Sequence, residues 1–522
     1  MVPPSAQSVR WGQMRNASEI VVVTPAALAS DDGASLLLLR VIAEFRLKGI
    51  SYCYWKSSRR LAAVLLGEGD VDLLIGRADQ HRAQAILLMQ GFKLFSSVAG
   101  RDHPSIMSFL GHDERNGNLI HLHLHFRLVI GERLFKNYRL PWEESLLQRT
   151  TLHPTLPIRI IDPASEALLL VVRACLELRR IDPITLRSWR VITRNSELDR
   201  RELAGRVDRA QLGNVARQFL NERLAEMVCD AMNDSRPLES QGRLQRCLRR
   251  HLAPYRSYGS GEARLRAAGR AGLWAAGGLN SQIIHLPRPW NRRAPGGGLV
   301  VALIGVDGSG KTTVARAIRA WLSSEIDVVP IYFGTGAGRP SLLLRPFKMV
   351  VPLISRLMAV KPRGASHGRM SGGPPGVLYS VLLTVWATVV AWEKRTKLLA
   401  ARRGANRGLV VIADRYPQDE IASFNDGALL SRLKKVPQWL HALEHSAYAL
   451  ASRLPPDLVI KLQVTPETVA VREPEMDHTV IGERVADVRR LKFPGAQIVT
   501  VDAEQPLPDV ISAVKSEIWR LL

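Results

Sequence analysis

The sequence predicts an α/β protein: a C-terminal domain built on a parallel sheet, preceded by a smaller α+β domain and a helical connector. Three observations carry that reading. From position 299, LVVALIGVDGSGKTTVARAIRAWL runs as an apolar stretch, a glycine-rich turn and an amphipathic helix, the order in which an α/β sheet opens. A second apolar run, LVVIAD from position 409, ends on a charged Asp-Arg pair, and strand ends are where sites form in such sheets. Between 285 and 298, HLPRPWNRRAPGGG contains three prolines and three consecutive glycines, a composition that continues neither helix nor strand.

Taken in order, residues 1–32 read as an N-terminal tail. Arg10, Arg15 and a short apolar stretch at 20–28 are followed by Asp31 and Asp32, where a signal peptide needs a longer apolar core and a cleavage site, so export is not expected. Residues 33–183 mix helical stretches (34–48, 79–91) with short strands (70–75, 119–125, 158–161), an α+β pattern. Residues 184–284 carry helical periodicity, dense arginine and little strand pattern, and read as a helical connector. The break at 285–298 is the linker, and 299–522 is the C-terminal α/β domain.

Within that domain, 376–392 (GVLYSVLLTVWATVVAW) is 17 residues without a charge, continuing into EKRTKLLAARR. A spanning helix needs about 20 apolar residues. A helix buried in the domain is expected, with Trp386 and Trp392 shielded from solvent; contact with a membrane surface is the competing reading. The run at 342–360 is apolar too, but Arg345, Lys348 and Arg356 interrupt it.

The chain has 522 residues, 72 Lys plus Arg against 48 Asp plus Glu, and a net charge of +24. Such a balance suits nucleic acid, an anionic membrane surface or phosphorylated substrates. The arginines are dispersed and aromatics make up only 6%, which argues against a specific nucleic-acid partner and leaves membrane-surface contact and oligomerisation open. Four cysteines, Cys53, Cys175, Cys229 and Cys247, form no C-x-x-C pair. Neither a zinc knuckle nor a secreted disulfide framework is indicated, and a reducing cytoplasm fits.

The most specific motif is Gly305-Val306-Asp307-Gly308-Ser309-Gly310-Lys311-Thr312-Thr313, a full G-x-x-x-x-G-K-[ST] between strand and helix. The glycines let backbone N–H groups turn toward phosphates at a helix N-terminus, Lys311 reaches the β and γ oxygens of a nucleotide, and the Thr312 hydroxyl can ligate Mg²⁺. Asp414, closing the second apolar run, offers a carboxylate for Mg²⁺ or its water, and Arg415 offers a planar fork to a phosphate. Strand, loop and motif together imply a P-loop NTPase fold.

These residues resemble the thymidylate kinase family over about 298–522. The likeness rests on GVDGSGKTT, on Asp414-Arg415-Tyr416, and on PDLVIKLQVTPE from position 456, similar to the family's strand before its lid. It implies that Asp307 approaches the acceptor's sugar, that Arg415 contacts the acceptor phosphate, and that Arg472 begins the lid. The segment turns acidic after Arg472 (EPEMD), GTGAGR at 334–339 replaces the usual acceptor-phosphate motif, and Asp502 with Pro506 falls where the family flanks adenine.

In the N-terminal domain, Tyr54-Trp55-Lys56-Ser57-Ser58 precedes Gly69-Asp70-Val71-Asp72-Leu73-Leu74. This resembles the nucleotidyltransferase superfamily, and alternation places Asp70 and Asp72 on one strand face, as two-metal chemistry needs. The candidate strand for a third acid carries His121, His123 and His125 instead. They read as hydrogen-bonded strand histidines, as substitution of His123 into the third catalytic position, or as a separate metal site. The two-part layout is similar to proteins associated with bacterial surface-polysaccharide synthesis.

The expectation is an ATP- and Mg²⁺-dependent phosphotransferase acting on a nucleoside monophosphate or similar phosphorylated small molecule. Its candidate residues are Lys311, Asp414, Arg415 and Arg472, with Gly305, Asp307, Gly308, Ser309, Gly310, Thr312 and Thr313 at the nucleotide. Metal candidates are Thr312, Asp414, Asp70 and Asp72. Nucleotidyl transfer by the N-terminal domain, or a nucleotide-switched docking module without catalysis, are the alternatives.

Overall fold

The computed structural model describes residues 35–103, 105–131, 136–177, 186–284, 286–334, 377–418, 420–421, 430 and 437–522. The tail at 1–32, the stretch at 335–339 and the apolar run at 342–360 lie outside them. The chain forms two compact units that divide at Trp274–Ala275, with Ser96–Val98 joining the second.

In the first unit, α1 (Leu36–Leu47) starts where the Ser35 hydroxyl accepts the Leu38 N–H at 3.2 Å, a side-chain N-cap. There follow β1 (Tyr52–Tyr54), β2 (Asp70–Ile75), α2 (Gln80–Met89), β3 (Lys93–Leu94), β4 (Ile106–Asp113), β5 (Asn118–His125), β6 (Thr150–Leu152) and β7 (Arg159–Ile161). They make a seven-stranded sheet in the order β3-β4-β5-β2-β1-β7-β6. It is mixed: β2 runs parallel to β5 and β1 parallel to β7, and the remaining pairs are antiparallel.

Alternation divides the sheet's chemistry between its faces. Val71, Leu73 and Ile75 with Ile120, Leu122 and Leu124 bury against Val41, Phe45, Ile86 and Leu87 of α1 and α2, so Asp70, Asp72, His121, His123 and His125 project to the opposite side.

A second core gathers α3 (Pro163–Glu177), α4 (Leu186–Ala204), α5 (Arg209–Phe219), α6 (Glu222–Asn233) and α7 (Gly242–His251) with Cys53, Trp55 and Leu74 of the sheet. Helices expected to form a connector therefore share a core with α3 and the sheet. Asp208 and Asn221 cap α5 and α6 by accepting main-chain N–H groups at 3.0 Å. Glu166 of α3 is buried and accepts the Ser58 N–H at 2.7 Å; burial pushes its carboxyl up to about 7. The division between units falls inside α8 (Ser260–Leu279).

The second unit comprises β8 (Leu299–Ile304), α9 (Lys311–Ser323), β9 (Val328–Tyr332), α10 (Val377–Asn406), β10 (Val410–Asp414), α11 (Gln438–Arg453), β11 (Leu458–Gln463), α12 (Pro466–Arg472), α13 (His478–Arg490), β12 (Gln497–Asp502) and α14 (Leu507–Leu521). Its five strands lie in the order β9-β10-β8-β11-β12, and every neighbouring pair is parallel. All six residues of β8 are buried, as a central parallel strand covered on both faces requires. Because the first strand sits mid-sheet, the order reverses beside it, and the crevice beyond its carboxyl end is where α/β sheets take ligands.

Helix α10 packs along α11. Lys394 is buried and donates to Tyr448 Oη at 2.8 Å, while Glu393 pairs with Lys397 at 2.9 Å. Among the described residues no helix is long and apolar enough to cross a membrane. The expectation that both tryptophans of α10 are shielded needs correction, because Trp386 is partly buried but Trp392 is 49% exposed. Among the described residues of the helix a stripe through Ala387, Val390 and Ala391 is buried, and Val381, Val385 and Trp392 are exposed.

Candidate functional site

At the carboxyl end of β8 the chain turns sharply. A Cβ on Gly305 would stand 2.5 Å from Ser309 Oγ and 3.0 Å from the Leu462 carbonyl oxygen, so a side chain there would force the loop off β11. Gly308 and Gly310 adopt φ of 80° and 87°, left-handed conformations that cost glycine little. Gly310 occupies the N-cap position of α9, leaving the first main-chain N–H groups of a 13-residue helix aimed out of the loop.

Lys311, the first residue of α9, folds back into the loop. Its Nζ donates to the Val306 carbonyl at 2.6 Å and lies 3.6 Å from Asp307 Oδ1. Burial pushes the ammonium below its usual range, with Arg415 adding to that effect and Asp307 opposing it. Thr312 Oγ1 donates to Asp414 Oδ2 at 3.1 Å. The parallel pairing of Leu303 with Asp414 brings the end of β10 beside that of β8. Asp414 Oδ1 and Ser309 Oγ are buried and have no hydrogen-bond partner among the described residues. Thr313 is exposed.

Arg415 takes φ of 68°, a region few non-glycine residues enter, while its N–H donates to the Leu303 carbonyl at 3.1 Å. Its guanidinium donates to Asp307 Oδ1 at 2.8 Å. Strained backbone of this kind gathers at functional sites. Arg472, at the end of α12, donates to the Gly308 carbonyl at 3.0 Å. The acids that follow it serve the helices: the Glu473 N–H closes α12 on Val469, and Asp477 caps α13 by accepting the Thr479 N–H at 2.8 Å.

Sequence reasoning missed Arg484. Carried on α13, it comes within 3.6 Å of Asp307 Oδ2 and is largely buried. Local spacing gives no sign of it, because only the packing of α13 beyond the acidic turn brings it to the loop. Asp307 is thus faced by Lys311, Arg415 and Arg484, and with Arg472 on the Gly308 carbonyl four cations meet the carboxylates of Asp307 and Asp414 around the glycine loop. An incoming polyanion would meet that excess.

In the first unit, β2 and β5 lie side by side and in parallel, with Asp70 opposite His121, Asp72 opposite His123 and Leu74 opposite His125. Asp70 Oδ1 is 2.7 Å from His121 Nδ1. Asp72 is a buried hub: Lys56 Nζ lies 2.6 Å from Oδ2, and His125 Nε2 and His123 Nδ1 lie 2.8 and 3.4 Å from Oδ1. Burial acts to raise the Asp72 carboxyl, but Lys56 and the two histidines outweigh it and hold it well below the usual range. Burial pushes the His125 imidazole down to about 3. The two acids and three histidines therefore form one cluster, and His123, not an acid, stands opposite Asp72.

No family model matches the chain. It is similar to two curated relatives from Escherichia coli strain K12. The uncharacterized ATP-binding protein YghS is 26% identical over 218 residues, 41% of this chain and 90% of the relative. The uncharacterized ATP-binding protein YghR is 23% identical over 227 residues, 42% of this chain and 86% of the relative.

Proposed function

We propose that the second unit is a thymidylate-kinase-like P-loop phosphotransferase that binds ATP with Mg²⁺ and moves its γ-phosphoryl group to a phosphorylated small molecule of the nucleoside monophosphate type. The observation that carries this reading is the Thr312–Asp414 pair at the mouth of the glycine loop, with Asp414 Oδ1 left without a partner. A hydroxyl and a half-free carboxylate beside a phosphate cradle are the oxygen ligands Mg²⁺ takes in such sites. The ATP-binding names of both relatives support the same donor.

Thr312 and Asp414 would hold Mg²⁺, which when bound neutralises phosphate charge. Lys311 and the N–H groups of the loop hold the donor phosphates, and Arg415 orients the acceptor phosphate, releasing Asp307 toward the acceptor's sugar. Arg472 and Arg484 close over the loop from α12 and α13. An acceptor oxygen forms the new bond to the γ-phosphorus as the bond to the bridging oxygen of ADP breaks, so catalysis is positioning and charge stabilisation.

The test is incubation of the full chain and Mg²⁺ with γ-labelled or α-labelled ATP and a panel of nucleoside monophosphates and sugar phosphates. Label should pass to an acceptor from the γ position alone. Transfer from the α position would assign the activity to nucleotidyl transfer, and transfer from neither would leave nucleotide binding without this chemistry.

A further inference from the structure

We propose that the first unit carries a binding site for one divalent transition-metal ion of the zinc class, held by Asp70, His121 and His123, with a coordination position open to solvent. The site is built from residues of the first unit and does not depend on the phosphotransferase reading.

The argument begins with strand pairing. Residues two apart on a strand share a face, and parallel pairing of β2 with β5 sets Asp70 beside His121 and Asp72 beside His123. One ligand atom from each of Asp70, His121 and His123 lies within 4.8 Å of the others. Metal–ligand bonds of about 2.0–2.2 Å can bridge that span after small side-chain rotations. The imidazoles of His121 and His123 already meet edge to face with centroids 4.1 Å apart.

A second triple, Asp72, His123 and His125, is equally compact, yet it suits a supporting role. His125 is fully buried, and both oxygens of Asp72 are engaged, one by Lys56 and the other by His125. Asp72 Oδ1 also faces His123 Nδ1 at 3.4 Å, which leaves His123 Nε2 for an ion. A carboxylate behind a ligating histidine is the usual means of fixing the ring's tautomer and orientation. Asp70 is half-exposed and His123 partly so, so the outer triple alone can admit water or a substrate oxygen to a remaining position.

The donor set selects the metal. Two imidazoles and one carboxylate favour zinc and its first-row neighbours, whereas Mg²⁺ prefers oxygen ligands in octahedral geometry and keeps its waters. With His123 opposite Asp72, where a third acid would serve two magnesium ions, the site fits a single softer ion.

The full chain, stripped of metal by chelator and titrated with Zn²⁺ in excess Mg²⁺ without nucleotide, tests the proposal by calorimetry and metal analysis after desalting. Retention of one zinc ion per chain is expected. Asp70→Asn should weaken binding at least about tenfold, and His121→Ala with His123→Ala should abolish it. Because His121 is buried and its loss can unfold the sheet, the half-exposed Asp70 provides the deciding variant. Co²⁺ in place of zinc should show d–d absorption without a thiolate charge-transfer band, which separates this site from the cysteines. Failure of the wild type to retain zinc, unchanged affinity in Asp70→Asn, or a thiolate band would each overturn the assignment.

Discussion

In the second unit the charged residues of the site gather around the carboxyl ends of β8 and β10, from the loop, the start of α9 and the helices α12 and α13; in the first the acids and histidines lie on the strands themselves, across a face. The glycine loop presents main-chain N–H groups and a surplus of cations around Asp307, an arrangement for receiving an anion. The β2–β5 face presents two carboxylates and three imidazoles, an arrangement for receiving a cation. The first kind of site needs backbone that turns back on itself, hence Gly308 and Gly310 with positive φ. The second needs only an alternating pattern and correct strand pairing. Variants that reverse either charge pattern sharpen the contrast.

The largest effect is expected from Lys311→Ala. Removing the ammonium folded into the loop should lower ATP-dependent phosphoryl transfer at least about a hundredfold, roughly 3 kcal/mol of transition-state stabilisation. The far-ultraviolet circular dichroism spectrum should not change. Transfer within a few-fold of wild type would show that the cations around Asp307 do not act on a nucleotide.

The next effect concerns a buried acid of the first unit. Burial raises the Glu166 carboxyl from an ordinary value of 4.5 to about 7. The folded state therefore holds its proton more tightly than the unfolded chain, so the stability this gives is complete below about pH 4.5 and is lost as pH rises through 7. By pH 8 that loss reaches roughly 3 kcal/mol in the wild type. Glu166→Gln retains an oxygen to accept the Ser58 N–H and cannot ionise, so its urea midpoint should stay level between about pH 5 and pH 8 while the wild type's falls. Parallel curves for the two proteins would refute the account.

A smaller change is expected from Arg415→Lys. An ammonium cannot reproduce the guanidinium fork, so the KM for the acceptor should rise about tenfold, about 1.4 kcal/mol, with ATP affinity nearly unchanged. Steady-state kinetics with each substrate varied in turn provide the measurement. A fall in ATP affinity with the acceptor constant unmoved would put Arg415 on the donor side of the loop.

How much was legible in the sequence follows the same contrast. The elements around the loop site could be read because residues 305–313 are contiguous and each has a local reason to be there: glycines for the turn, Lys311 and Thr312 at the helix start. The pairing of Thr312 with Asp414 depends on β10 lying next to β8, and only the apolar run ending in Asp-Arg hinted at it. Arg484 was invisible, because helix packing and not spacing delivers it to Asp307. On the other face, alternation puts Asp70 with Asp72 on one strand and the three histidines on another, and His123 beside the two acids is one of three readings it leaves open. Nothing local states that strands more than forty residues apart pair in parallel, so the choice among those readings awaited the fold. Trp392 fails for a similar reason: an uncharged run looks uniformly apolar, but a helix packed mainly along α11 buries one stripe and leaves residues off it, Trp392 among them, exposed.

The smallest expected effect tests whether the two chemistries are independent. Asp70→Asn with Asp72→Asn removes both carboxylates from the β2–β5 face, leaving Lys56 and the histidines without their acid. The first unit should lose stability, because an uncompensated buried charge is costly once its partner is gone. ATP binding should stay within about twofold of wild type, since substitutions that share no partners with the nucleotide's residues generally act additively. The cores on either side of Trp274–Ala275 belong to separate compact units, and the described ion pairs of Asp70 and Asp72 run to Lys56 and the strand histidines of their own unit. Nucleotide titration of the double variant, beside its thermal unfolding, provides both readouts. A tenfold loss of ATP affinity in a chain whose second unit still melts normally would mean that the acid–histidine face and the glycine loop work as one composite site, and the contrast between an anion site and a cation site would have to give way to a shared one.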